Sequence, residues 1–455
     1  MKKLIDTLKN IWKIEELRNR ILFTLAILLV YRFGSFVVLP GVDYNALEAA
    51  AATRGANDIL GLINTFSGGA FNKGSIFALG IMPYITASII IQLLGFAVPY
   101  FQRLQQKEGE SGRKKITQIT RLLTVAITLV QGSGYLAFIN QQGAMSPAIN
   151  PTIFWFGNII ILSTGTVFAM WLGEKITDRG IGNGISLLIM IGIIATLPGS
   201  FVAEFQNTLA KTGPLVFLAE IGVLFFVCLA TILIVQGVRR IPIQFAKRMV
   251  GRTAGNIPQS GARDYIPLKV NAAGVMPIIF AQAIMFLPAQ VGQWLAGPTG
   301  EVSGFLQNFS DWKSIPYNVI FFLLVVVFTY VYTALLVNPQ QYADYLKRQN
   351  SFIPGIKPGK QTQDYIDTLT TRVTLPGSIF LGFISILPAI VAIFGVNDGF
   401  ALFFGGTSLL ILVGVVIDTL QQIESYLLMR KYDGLVKSGK LKGRSGSGMQ
   451  IGASM

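Results

Sequence analysis

Gly80-Ile81-Met82-Pro83 opens an apolar run that reaches residue 98, and Gly274-Val275-Met276-Pro277 opens another that reaches residue 291. Glycine and proline both interrupt helical hydrogen bonding, and interrupted backbone at membrane depth is tolerated only against protein or a water-filled cavity. The position of the two tetrads in the chain gives them meaning. Stretches apolar and long enough to cross about 30 Å of hydrocarbon recur at 21–40, 75–98, 119–139, 153–173, 184–202, 215–237, 271–291, 317–337, 374–395 and 400–420. Dividing these ten near residue 210 leaves five on each side, and each tetrad then opens the second span of its half. An odd number of spans per half inverts one half relative to the other, and matching interrupted segments in two inverted halves point to a transport path. The expected fold is therefore an all-α polytopic membrane protein, with ten transmembrane helices in two inverted five-helix halves around a central pore.

Composition supports the membrane reading. Of 455 residues, 52% are hydrophobic and only 13% charged, where a soluble domain carries roughly a quarter charged. There is no His, which removes His-ligated metals and every nucleophile system that relies on an imidazole. A single cysteine, Cys228, allows neither a disulfide framework nor a Cys-based zinc site. The formal charge is +15, and all but five of the 37 Lys and Arg fall in the termini or in alternate connections; the exceptions are Arg32, Arg54, Lys73, Lys211 and Lys313. Positively charged loops stay cytoplasmic, so both termini are expected there. The first span is too long for a signal-peptide core and is not expected to be cleaved.

The chain divides accordingly into a cytoplasmic amphipathic helix at 1–20, an N-terminal half at 21–210, a C-terminal half at 211–423 and a basic cytoplasmic tail at 424–455. Two cytoplasmic connections, 238–270 and 338–373, exceed ordinary bundle turns and read as working surfaces. The first holds β-branched runs around a Gly-rich centre and suggests a hairpin; the second presents Lys357 and Lys360 on a Pro/Gly-stiffened turn. Residues 57–74 are apolar but too short to span, and Ser67-Gly68-Gly69 breaks them. They suit either a re-entrant segment or a helix at the outer interface.

Reactive groups are scarce. Asp418, Glu220 and Glu174 all stand near span ends, where coupling carboxylates of an ion-driven transporter would be central. Arg32, inside the first span, is expected to snorkel or to pair within the bundle. Gly434 to Lys440 imitates a phosphate loop, but Leu441 replaces the Mg²⁺-binding hydroxyl and no strand precedes it. No catalytic, metal or cofactor residues are expected, so energy must come from a partner. An inverted-repeat secondary transporter of a small solute is the alternative.

Longer strings carry a resemblance. Phe66-Ser67-Gly68-Gly69-Ala70, Ala78 to Ile85, Glu108-Gly109-Glu110-Ser111-Gly112-Arg113, Trp171-Leu172-Gly173-Glu174, Arg179 to Ser186, Pro267 to Asn271, Ile353-Pro354-Gly355-Ile356 and Phe404 to Ile411 are similar to the SecY family, the channel-forming subunits of the bacterial Sec protein translocase, over nearly the whole chain. The resemblance implies a protein-conducting channel that moves unfolded secretory polypeptides across the bacterial cytoplasmic membrane and releases apolar helices sideways into lipid. It implies a pore ring of Ile81, Ile85, Ile189, Ile279 and Ile411, and a plug at 59–71 that includes Ile59, Leu60, Leu62, Ile63, Phe66, Ser67, Gly68 and Gly69. A lateral gate would run between spans 2 and 3 and spans 7 and 8, with Thr86, Gln131 and Gln282 as its polar seam. Arg239, Arg240, Lys247, Arg248, Arg252, Arg348, Lys357 and Lys360 would dock the SecA motor or a ribosome, through its exit-tunnel RNA and proteins. SecE and SecG would be the small membrane partners, and signal sequences and nascent chains the cargo. Lys357 departs from the family, which usually has Arg there; a point charge replaces a planar two-pronged donor.

Overall fold

The computed structural model describes residues 12, 14–53, 59–106, 109–147, 149–211, 213–245, 263–282, 284–285 and 311–437. The N-terminal half contains α1 (Glu15–Gly34), α2 (Tyr44–Thr53), α3 (Ile59–Phe66), α4 (Met82–Ala97), α5 (Pro99–Gln106), α6 (Gly109–Gln141), α7 (Pro151–Arg179) and α8 (Gly184–Lys211). The C-terminal half follows with α9 (Pro214–Gln236), β1 (Val238–Phe245), β2 (Arg263–Lys269), α10 (Ile315–Leu336), α11 (Pro339–Arg348), β3 (Ser351–Phe352), α12 (Lys360–Ile393), α13 (Asp398–Ala401) and α14 (Gly406–Lys437). Among the described residues α6 to α10, α12 and α14 are long and apolar enough to cross a membrane. The first span is α1, the second α4, and the seventh is described as helix over 276–282 and 284–285. The protein is a multi-pass membrane protein with ten spans.

The two tetrads fold alike. Gly80 and Gly274 adopt φ of +53° and +64°, a left-handed conformation that glycine enters without steric cost. The next residue is a turn, Met82 or Met276 begins the helix, and Pro83 or Pro277 follows it. Proline fits the first helical turn because its missing N–H would have no intrahelical acceptor there. Residues 75–81, expected as the start of the second span, are instead a bridge at Ser75 to Val38 followed by turns at 76–81, and the span begins at Met82.

Several helices outrun their apolar cores. The 33 residues of α6 and 34 of α12, at about 1.5 Å per residue, are longer than the hydrocarbon is thick, so their charged ends stand in water. α8 continues past Pro198 to Lys211, nine residues beyond the limit that hydropathy gives it. α14 stays helical through Lys437, so Gly434 to Lys437 form no phosphate loop, and Ser438 to Lys440 lie outside the described residues. Residues 15–20 of the expected N-terminal amphipathic helix are continuous with α1 as its first turns; 1–11 and 13 lie outside the described residues.

Close helix packing rests on small residues, as it must where lipid supplies no hydrophobic drive. A Cβ at Gly377 would stand 2.8 Å from the Val270 carbonyl oxygen, and one at Gly382 2.5 Å from the Phe322 ring. Buried hydroxyls bond back along their own helix, as Thr120, Thr124 and Thr128 do to the carbonyls of Ile116, Thr120 and Thr124. One apolar cluster centres on Leu79, Tyr135, Leu136 and Phe154 in the N-terminal half, another on Phe321, Leu381, Phe400 and Phe404 in the C-terminal half. Among the fully described helices, packing between the halves runs mainly through α8, which meets α9, α13 and α14. Two hydrogen bonds pin that seam: Asn397 N–H to Glu204 Oε2 at 2.7 Å and Gly182 N–H to Gln422 Oε1 at 2.8 Å.

Outside the bundle, β1 and β2 pair antiparallel from Val238↔Lys269 to Gln244↔Arg263, the hairpin that the β-branched runs suggest. β3 joins the end of β1, giving the order β2-β1-β3. Pro267 lies on the edge strand and Pro242 on the part of β1 that β3 does not reach, where a missing donor is tolerated. Ile241, Ile243 and Leu268 face inward onto Leu346, Ile353 and Ile366.

Candidate functional site

The five expected ring isoleucines come from four segments and both halves. Ile81 precedes α4, Ile85 is on its first turn, Ile189 is on α8, Ile279 on the seventh span and Ile411 on α14. All five fall in one apolar cluster. Ile81, Ile189 and Ile411 are 4%, 8% and 2% exposed, while Ile85 and Ile279 are half-buried. Phe66, at the end of α3, joins the same cluster, and α3 packs against α8. The one cavity described between them, bounded by Tyr31, Phe66, Ile81, Ile85 and Ile189, measures about 10 Å³. A single water needs about that much room and several polar partners besides. The cluster around these isoleucines is apolar and closely packed.

α3 packs against α8, and Phe66 at its end is buried. Gly68 and Gly69 carry φ of +67° and +87°, which lets the chain reverse after Phe66. Ser67 is 2% exposed. The side chains of Ile59, Leu60, Leu62 and Ile63 lie outside the described ones.

Arg32 pairs within the bundle: its Nη1 donates to the Gly68 carbonyl at 2.6 Å, and among the described residues it meets no acid. Arg121 binds Glu174 with two nitrogens, Nε to Oε1 at 3.1 Å and Nη2 to Oε2 at 2.6 Å, which occupies that carboxylate structurally. Sequence reasoning missed Glu204, which is 1% exposed and accepts from Thr208 Oγ1 as well as from Asn397. Hydropathy ends the fifth span before it, so it reads as a loop acid; its partner is a backbone N–H, which leaves no mark in a sequence.

The gate residues are not joined. Thr86 is half-buried and donates to Met82 O within its own helix at 3.0 Å; Gln131 is half-buried on α6. Gln282 lines a cavity of about 40 Å³ inside the C-terminal half with Trp312, Asn318 and Phe321. Among the described residues no hydrogen bond links these three. Of the basic docking residues, Arg239, Arg240, Arg348, Lys357 and Lys360 are exposed on the sheet and its flanking turns, and Arg240 lies 4.9 Å over the Tyr265 ring. Lys247, Arg248 and Arg252 lie outside the described residues. Among the described residues no group of three or more Cys, Asp or Glu is placed to hold a metal.

Ten spans in two inverted halves, with an apolar cluster drawn from both, define a polytopic membrane channel. The comparisons narrow the class. A family model described as SecY matches residues 75–420. The protein translocase subunit SecY of Streptomyces galbus is 44% identical over 433 residues, covering 93% of this chain and 97% of that one. Among solved structures, that of a protein-conducting channel superposes with a TM-score of 0.64 at 20% identity, covering 93% of this chain and 94% of the other. Sec61 in the canine ribosome–channel complex superposes with 0.57 at 18% identity over the same shares. The chain belongs to the SecY family, a family of protein-translocation channels.

Proposed function

We propose that this chain is the passive protein-conducting pore of a bacterial cytoplasmic membrane, with both termini cytoplasmic, and that it performs no catalysis of its own. The convergence of Ile81, Ile85, Ile189, Ile279 and Ile411 from both halves onto one closed waist carries the reading. These residues form the ring, and residues 59–71 form the plug over it. Branched apolar side chains can part around a passing chain without binding it, and they close again to exclude ions. The joining of the halves through α8 supports opening on the other side, between α4 and α6 and the seventh span with α10. Apolar segments leave there into lipid according to their transfer free energy; Thr86, Gln131 and Gln282 contribute the polar groups of that gate.

Energy comes from outside. The exposed Arg239, Arg240, Arg348, Lys357 and Lys360, with Lys247, Arg248 and Arg252, dock a SecA motor or the RNA and proteins around a ribosomal exit tunnel; the Sec61 neighbour in its ribosome–channel complex supports the second. SecE and SecG complete the membrane complex.

Cysteines placed singly at Ile81 and Ile279 test the assignment, with a cross-linkable probe in a stalled precursor. Adducts at both positions are expected, and their absence from both would overturn the pore reading.

A further inference from the structure

Resting on that reading, we propose that Arg32 is the latch that holds the plug over the constriction, and that it grips the plug's main chain rather than a side chain. Arg32 lies in the last turn of α1, next to Tyr31 of the central cluster. Its Nη1 reaches the Gly68 carbonyl at 2.6 Å. Its Cζ lies 5.0 Å from the Phe36 ring centre, and Lys73 Nζ lies 3.7 Å from that same centre. Among the described residues Arg32 has no carboxylate partner, so the plug carbonyl is its charge-assisted acceptor. Such bonds are short and about twice as strong as neutral ones.

The Cβ side of Gly68 is tight. A Cβ there would fall 2.8 Å from Arg32 Nη1 and 2.9 Å from Gly192 Cα on α8. The guanidinium and the α8 backbone both crowd that position, which, with the positive φ, explains why the segment needs a glycine at this point. The rest of the segment keeps its own shape. Asn64 accepts from Gly69 N–H through its carbonyl at 2.8 Å and from Asn72 N–H through Oδ1 at 3.0 Å, while Ser67 Oγ accepts from Phe71 N–H at 3.1 Å. Residues 64–72 can move as a unit only when the Arg32 bond to Gly68 and the bond that Tyr135 Oη donates to the Phe71 carbonyl, at 2.6 Å, both break.

A guanidinium stripped of its acceptor within the membrane is costly. In an empty channel that cost opposes plug release. A translocating chain in extended conformation offers an unpaired carbonyl at every residue, so Arg32 can pass from Gly68 to cargo backbone whatever the cargo sequence. The latch is thus weakest when a substrate is present and strongest when none is.

The test uses the complete translocon with its partner subunits in planar bilayers, without precursor. Resting leak is compared for R32A, R32Q, R32K, a deletion of 59–69, and that deletion combined with R32A. R32A is expected to raise leak roughly tenfold or more, from the worth of one charge-assisted bond. R32K, which keeps the charge and can still donate but lacks the reach and planar fork of the guanidinium, should fall between wild type and R32A, and R32A should add nothing to the deletion. Unchanged leak in R32A, or a full additive effect on top of the deletion, would overturn the latch. If R32A does not accumulate in membranes, the R32Q and R32K pair carries the same comparison. Failure of the channel reading looks different: the deletion itself would then conduct no more than wild type.

Discussion

Isoleucine suits the waist because its branched, apolar side chain has few rotamers and fills space without offering a polar atom. Replacing Ile81 and Ile411 together with serine introduces two hydroxyls into their shared apolar cluster, where Ile81 lines a cavity of only about 10 Å³. Water should enter, and single-channel recordings should show increased resting conductance; an unaltered baseline would count against a ring seal. Gly192 supplies a second test at this scale. A Cβ there would collide with the Phe66 carbonyl oxygen and approach Gly68 N at 3.2 Å. G192A should therefore lift the plug and make residues 64–72 more accessible to a water-soluble thiol reagent on an introduced cysteine, with the bundle intact. Composition could not single out these residues. The chain has many membrane isoleucines and 48 glycines, and only likeness to a family picked five of the former, while Gly192 showed no signal because its neighbours are backbone atoms from a distant segment.

The hairpin is the element with the clearest separate core. Ile241 and Ile243 alternate inward on β1 at 2% and 7% exposure and meet Leu346 and Ile366 from α11 and α12. Ile241→Ala should cost about 2–5 kcal/mol of local stability. Limited proteolysis would register this as faster cleavage near 238–270, with unchanged membrane insertion. The hairpin was legible because strand periodicity and turn-forming glycines are local signals. Its registration onto β3 and α11 was not, since those residues lie some 100 positions further along and pair through backbone. The tetrads at 80–83 and 274–277 were legible for the same local reason: a left-handed glycine and a first-turn proline write their conformation into residue type.

At the scale of the molecule the halves are one unit through α8. Glu204 brings a nearly fully buried carboxylate to the Asn397 N–H across that seam. Glu204→Ala leaves the N–H without its acceptor, at about 1–3 kcal/mol, and should lower the thermal midpoint of the purified complex. Glu204→Gln keeps an acceptor oxygen and should lie closer to wild type; equal losses in the two variants would argue that shape rather than hydrogen bonding matters there.

Apolar run length, the one-sided placement of Lys and Arg, and two interrupted tetrads were enough by themselves to establish a ten-span membrane protein with inverted halves, because the bilayer forces every backbone group into helices and sorts charge by side. Apart from family likeness, only tertiary structure brings isoleucines 330 positions apart, Ile81 and Ile411, into one apolar cluster. It also decided that Gln282 lines a cavity within its own half, that Arg32 finds a plug carbonyl, and that Glu204 finds a backbone N–H. The reason is common to all of them: helix faces are fixed by distant packing, and a main-chain donor or acceptor is the same at every residue, so neither leaves a pattern in the order of amino acids.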